Sequence, residues 1–163
     1  MKVINSHERT FNRPAHQVGA LLDRLASKDD GLWPHASWPA MRFDRDLQIG
    51  ANGGHGPIRY RIEDYQPGQS IRFRFHRPRG FNGYHEFVIH APDEQRSRLE
   101  HRLCMQTSGM AQISWPLIFR PLHDALIEDA LDNAAASLGE PAHSPSQWSI
   151  WVRILRRLLA GRA

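Results

Sequence analysis

Two segments of strict alternation constrain this chain more than any other feature. Ile58, Tyr60 and Ile62 alternate with Arg59, Arg61 and Glu63, and Ile71, Phe73 and Phe75 alternate with Arg72, Arg74 and His76. A period of two gives each segment one apolar and one polar face, the pattern of a half-buried β-strand and not of a helix. Gln66-Pro67-Gly68 is a turn between them, and further turns fall at Pro78-Arg79-Gly80 and Ala91-Pro92-Asp93. Connections this short predict antiparallel neighbours, so the meander continues through strands over about Phe81 to His90 and Ser97 to Thr107. Met1 to Phe11 predicts a first strand and Met41-Arg42-Phe43 a shorter one.

Elsewhere the period becomes helical. Asn12 and Pro14 signal a helix start, and Val18, Leu21, Leu22 and Leu25 recur at helical spacing until about Ser27. Trp33-Pro34 and Trp38-Pro39 then predict a loop, because proline disfavours helix in the residue before it. Its tryptophans either cap the core or line the mouth of a pocket. From about Ile113 to Leu138 the spacing predicts a long helix with Ile118, Leu122, Leu126, Ala130 and Ala134 as a buried stripe. Arg120, Asp124 and Glu128 would decorate its other side, Pro121 would kink it or start its regular part, and Gly139 followed by Pro141 would end it.

Ser144-Pro145-Ser146-Gln147 reads as a capping box opening a last helix. There Trp148, Trp151, Val152, Leu155 and Leu159 fall on one side and Arg153, Arg156 and Arg157 on the other. Three readings of this tail stay open. It packs on its own domain or makes a homodimer contact through residues 145–163, it touches a membrane peripherally, or it docks on a partner helix.

With 163 residues, the chain has length for one domain over residues 1–140 and a basic appendage over 141–163. Hydrophobic residues at 40% and charged residues at 23% exclude disordered classes, and the lone Cys104 excludes a disulfide scaffold. Charged residues interrupt the first 20 positions, no run approaches ~18 apolar residues, and the expected location is cytoplasmic, with peripheral membrane contact through the tail as the alternative. The net charge is +4, yet the four arginines from Pro145 onward have no acidic neighbour in sequence while the other 17 bases balance 17 acids. Such a body predicts no nucleic-acid partner, and the cluster Arg72, Arg74, His76, Arg77 and Arg79 reads as a solvated strand face.

Gly50-Ala51-Asn52-Gly53-Gly54-His55-Gly56-Pro57-Ile58 crowds glycine between two predicted strands. No helix follows, so it is neither a P-loop nor a dinucleotide turn, and the plain expectation is a strained hairpin loop. In its context of strand, helix, broken aromatic segment, meander and long helix ending at Gly139, this motif resembles the START-like SRPBCC superfamily, which includes the major birch pollen allergen and bacterial polyketide cyclase-like proteins. The resemblance runs from about Lys2 to Gly139 and is supported by Trp115 and by Pro121-Leu122-His123-Asp124-Ala125-Leu126. It implies an α+β helix-grip fold, a curved antiparallel sheet wrapped around the long helix, with an apolar cavity between them. It does not imply one chemistry.

Phe43, Tyr60, Phe73, Phe75, His85, Phe87, His101, Leu103, Trp115, Ile118 and Leu122 are the candidate lining residues. Strand alternation puts His85 with Phe81 and Phe87, and His101 with Leu99, Leu103 and Met105, so two histidines would meet inside. The expected function is binding or transport of a small hydrophobic ligand such as a lipid or polyketide, without catalysis. The alternatives are a cyclase- or dehydratase-like enzyme using His85 and His101, and a module acting through its tail. No His-Glu-x-x-His, thiolate cluster or Gly-x-Ser-x-Gly occurs, so neither metal nor cofactor is expected, and His123-Asp124 with Glu128 reads either as a dyad or, more simply, as helix-face pairing with Arg120.

Overall fold

A computed structural model describes residues 1–141 and 147–160. The capping box expected at Ser144-Pro145-Ser146-Gln147 therefore lies, but for Gln147, outside the described residues. The strands are β1 (Lys2–Phe11), β2 (Arg42–Phe43), β3 (Asn52–His55), β4 (Ile58–Gln66), β5 (Ser70–Arg77), β6 (Phe81–His90) and β7 (Ser97–Thr107). They form one antiparallel sheet in the order β1-β7-β6-β5-β4-β3-β2. Helix α1 (Ala15–Asp23) follows β1, and α2 (Ala111–Ser114), a π-helical turn (Trp115–Phe119) and α3 (Arg120–Ser137) follow β7. A last helix, α4, spans Ile150–Ala160. This is the α+β helix-grip architecture, with α3 lying across one face of the sheet.

The alternation read from sequence sets which side chains meet α3. Ile58, Tyr60, Ile62, Ile71, Phe73, Phe87 and Leu99 are all buried in the main core with Leu126, Ala130, Leu131 and Ala134 of α3. Each isoleucine, leucine and phenylalanine of this set stabilises the fold by about 1.5–3 kcal/mol when withdrawn from water. On the opposite face Glu86 is buried between Arg72 and Arg102, and Arg74 pairs with Glu63 at 2.8 Å. The arginine cluster is thus partly neutralised by carboxylates on neighbouring strands.

Three local expectations change. Helix α1 ends at Asp23 and not near Ser27, and Pro14 precedes it without a side-chain cap. The glycine segment is not a free hairpin loop: Asn52–His55 is a strand, pairing with β2 on one side and β4 on the other. Gly53 is required there by close approach, since an added Cβ would lie 2.3 Å from the Arg42 carbonyl oxygen and 2.4 Å from the Phe43 ring. The long helix is also not uniform. The wider turn from Trp115 to Phe119 holds Pro116, regular α-helix resumes at Arg120, and Pro121 is the second residue of that regular part.

Trp115 and Phe119, both from the wide turn, pack with Val3, Phe81, Leu103 and Met105 in a second apolar cluster. Ile118, expected on the buried stripe, is half-buried and belongs to neither cluster, because the wide turn advances the chain by less angle per residue than an α-helix does. At the Trp-Pro segment, a loop as expected, the buried Asp30 accepts the backbone N–H groups of Ala26, Leu32 and Trp33 and so ties the chain down. No helix among the described residues is long and apolar enough to cross a membrane.

Candidate functional site

The inward face of the sheet carries a line of polar rings through its apolar core. Register sets Phe87 of β6 opposite His101 of β7 and His85 opposite Leu103, so alternation brings both histidines to the α3 side. His85 stacks between Phe73 and Phe75, with ring centroids 4.8 and 5.0 Å away, and meets Tyr60 edge-on at 4.9 Å. Its Nδ1 is hydrogen-bonded to His101 Nε2 at 3.2 Å. From His101 the line continues to His123 of α3 at 5.0 Å and on to His7 of β1 at 5.9 Å. At the other end Tyr60 lies 5.9 Å from His55 of the glycine strand, which packs on Trp33 at 4.8 Å.

Burial holds most of this line uncharged. It pushes His85 and His101 well below the ordinary histidine value, with the charges of neighbouring histidines adding to the effect. It pushes His55 down to about 3. Burial lowers His123 as well, against the pull of Asp124, and holds the Tyr60 phenol well above its ordinary value, hence protonated.

His7 differs. Burial alone would lower its pKa, but hydrogen bonds and charges from Asp124 and Glu128 outweigh that and raise it. Its Nδ1 faces Glu128 at 2.7 Å and its Nε2 faces Asp124 at 3.1 Å, and only a doubly protonated ring donates to both. Asp124 also accepts from Asn5 at 2.9 Å, and the bonds from His123, His7 and Asn5 override burial and hold its carboxyl well below the usual range. The expected Arg120–Asp124 pair is present at 3.6 Å. Asp124 and Glu128 nonetheless do more than decorate a solvated face: with Asp132, which binds Arg9 at 2.7 Å, they form a polar seam against β1.

The chemistry follows from what is left over. The Tyr60 hydroxyl, His85 Nε2, His101 Nδ1 and His123 Nε2 are buried without a hydrogen-bond partner. In a neutral His85–His101 couple one N–H is spent between the rings, so one outer nitrogen carries the remaining N–H and the other a lone pair. With its Nδ1–H turned to Asp124 at 3.5 Å, neutral His123 keeps its lone pair on Nε2. The interior thus offers donors, acceptors and a carboxylate-oriented base, each of which costs free energy while unpaired. His7, His123 and Asp124 also bring ligand atoms within 4.8 Å of one another, a spacing a metal ion could use, but His7 and Asp124 are already engaged with each other as an ion pair.

A cleft of about 480 Å³ opens at the β2–β3–β4 edge, lined by Phe43, Gly53, Gly54, His55 and Tyr60 with Arg42, Asp44, Arg59 and His76 at its polar side. Phe43 and Tyr60 are thus the two candidate lining residues that border it. Phe73 and Phe87 are fully buried behind, Phe75 bridges the two apolar clusters, and Leu103 and Trp115 belong to the second cluster. Leu122 packs on the main core from α3. A second cleft of about 470 Å³ lies between the Trp-Pro segment, α3 and Trp148. Sequence reasoning missed His7 and His55. The alternation of Val3, Asn5, His7, Arg9 and Phe11 would have shown His7, and the strand nature of Asn52–His55 would have shown His55.

No family model and no curated protein matches the sequence. Solved structures do match the fold. Norcoclaurine synthase from Thalictrum flavum, in complex with dopamine and hydroxybenzaldehyde, is 13% identical, with 87% of this chain and 90% of that one covered at a TM-score of 0.63. The Zhui aromatase/cyclase from Streptomyces sp. R1128 is 17% identical, with 85% and 93% covered at 0.56. CalU16 from Micromonospora echinospora is 13% identical, and the match covers 99% of this chain and 92% of that one at 0.57. At 13–17% identity these likenesses show a shared fold, the one expected from the sequence.

Proposed function

We propose that this protein binds a small, largely apolar molecule bearing oxygen substituents, held between the sheet and α3 and reached through the cleft beside Phe43, Gly53, His55 and Tyr60. The observation that carries this reading is the set of four unpartnered polar atoms on Tyr60, His85, His101 and His123 in an otherwise apolar interior. Buried polar groups are ordinarily paired, and a bound molecule with hydroxyl or carbonyl groups would pair these. Of the four residues that carry these atoms, Tyr60 borders the cleft and so joins the entrance to the histidines behind it. A fold shared with norcoclaurine synthase, solved with dopamine and hydroxybenzaldehyde, and with an aromatase/cyclase supports the same class of ligand. Binding or transport without turnover is the primary reading.

A second reading is acid–base catalysis on such a molecule. The bond between His85 and His101, together with Asp124 orienting His123, favours it, because the three rings hold an N–H and lone pairs at fixed positions from which a proton could be given and taken. Native mass spectrometry of freshly purified protein, with extraction and identification of anything released, tests the first reading. A co-purified small molecule, or uptake from a panel of phenolic, polyketide and lipid compounds, supports it. A mass that stays that of the bare chain with every compound refutes it. Product formation by the wild type that His101→Ala abolishes while binding persists would move the protein to the second reading.

A further inference from the structure

We propose that α4 and the stretch before α3 form a docking face for an anionic lipid bilayer. Helix α4 divides its surface three ways. Val152 and Leu155 are buried against the body at 4% and 6% exposure, and Trp151 Nε1 donates to the Leu117 carbonyl at 2.8 Å. Trp148 meets Trp38 edge-on at 5.7 Å, and both indole N–H groups donate to Asp129. The guanidinium of Arg156 covers the Trp148 ring at 3.6 Å and its N–H donates to the Ser37 carbonyl. The helix is therefore seated on its own chain in one orientation.

That seating leaves a second apolar face outside. Ile150, Trp151, Ile154 and Leu158 are 76%, 47%, 42% and 63% exposed. They fall within an arc of about 100° on the helix, adjoining the arc that holds Arg153 and Arg157. The Trp151–Leu117 bond sets this face beside the stretch that exposes Met110, Ile113 and Leu117. Seven of the eleven large apolar side chains exposed among the described residues belong to this face and that stretch, so the exposure is a patch and not scatter.

Charge selects the occupant. Arg153 and Arg157 flank the exposed apolar face, and the chain from Pro145 onward has no acidic residue. Another copy would bring the same positive charge to the contact, whereas an anionic surface complements it. Tryptophan and leucine beside arginine are the side chains that partition into a headgroup layer.

Sedimentation of the full chain with vesicles of phosphatidylcholine, alone or with a third phosphatidylglycerol, tests the proposal. The protein is expected to pellet with the anionic vesicles and to be released as salt is raised. Ile154→Glu with Leu158→Glu is expected to abolish pelleting with the thermal midpoint unchanged, since both side chains are already in solvent. Arg153→Gln and Arg157→Gln, which leave the apolar face intact, should each weaken binding about fivefold. Wild type remaining in the supernatant, or the double glutamate variant still pelleting, overturns the proposal. So does a concentration-dependent dimer that the glutamates dissolve in the absence of any vesicle binding, because it assigns the face to a second copy.

Discussion

Replacing Tyr60 by phenylalanine should stabilise the ligand-free protein, and the sign of the effect is the point of the experiment. The Tyr60 ring is fully buried among Phe73, Phe43 and His85, at centroid separations of 5.1, 6.0 and 4.9 Å, and phenylalanine keeps all three contacts. What it removes is a hydroxyl with no partner. A buried polar group in that state costs about 1–3 kcal/mol, and Tyr60→Phe should recover most of it. In a domain of this size each kcal/mol is worth about 2–4 °C in thermal midpoint. Urea unfolding and calorimetry on extracted, ligand-free protein supply the measurement. The same substitution should weaken binding of an oxygen-bearing ligand about threefold to tenfold, the worth of one neutral hydrogen bond. Stability and affinity then move in opposite directions. A loss of stability in ligand-free Tyr60→Phe would refute the reasoning, for it would mean that the hydroxyl is already satisfied and is not held open for a ligand.

Protonation gives an independent check. His55, His85, His101 and His123 have pKa values below their unfolded value near 6.5, so the unfolded chain binds more protons and stability must fall as pH drops below about 6.5. Each neutral imidazole contributes up to about 1.4 kcal/mol per pH unit, partly opposed by His7, whose raised pKa favours the folded state below the same value. Urea titrations at pH 7.5, 6 and 5 that show constant or rising stability would contradict the burial of this line. Gly53→Ala, which forces a Cβ onto the Arg42 carbonyl and the Phe43 ring, should cost about 1–3 kcal/mol and alter the cleft, read by thermal melting and ligand affinity. Truncation after Pro141 removes Val152 and Leu155 from the body and should destabilise it by about 3–6 kcal/mol as an upper bound, and an unchanged urea midpoint would show that the tail is a separate appendage.

Local sequence determined the strands and turns, because a strand's period, a Pro-Gly turn and a short connection each depend on neighbours in the chain. The spans of β6 and β7 followed from the turns that bound them, and the placing of His85 and His101 on one face followed from alternation. The grip was implied by the resemblance that the order of elements and the glycine segment bear to a known superfamily.

Only the tertiary structure decided the rest. His7 and Asp124 are 117 residues apart, and they meet because β1 pairs with β7 at the sheet edge that α3 crosses. Nothing near His123 in sequence distinguishes an outward helix-face histidine from one turned against His101. That choice depends on the wide turn from Trp115 to Phe119, which sets the rotation of the helix entering α3. The tail shows the same division. Its amphipathic pattern was written in the chain, but its apolar surface exceeds what the body covers, and which half stays in solvent was settled by where Trp38, Trp148 and Asp129 meet. Periodicity reports how much apolar surface an element carries, whereas packing across the fold decides which part of it is left for a partner.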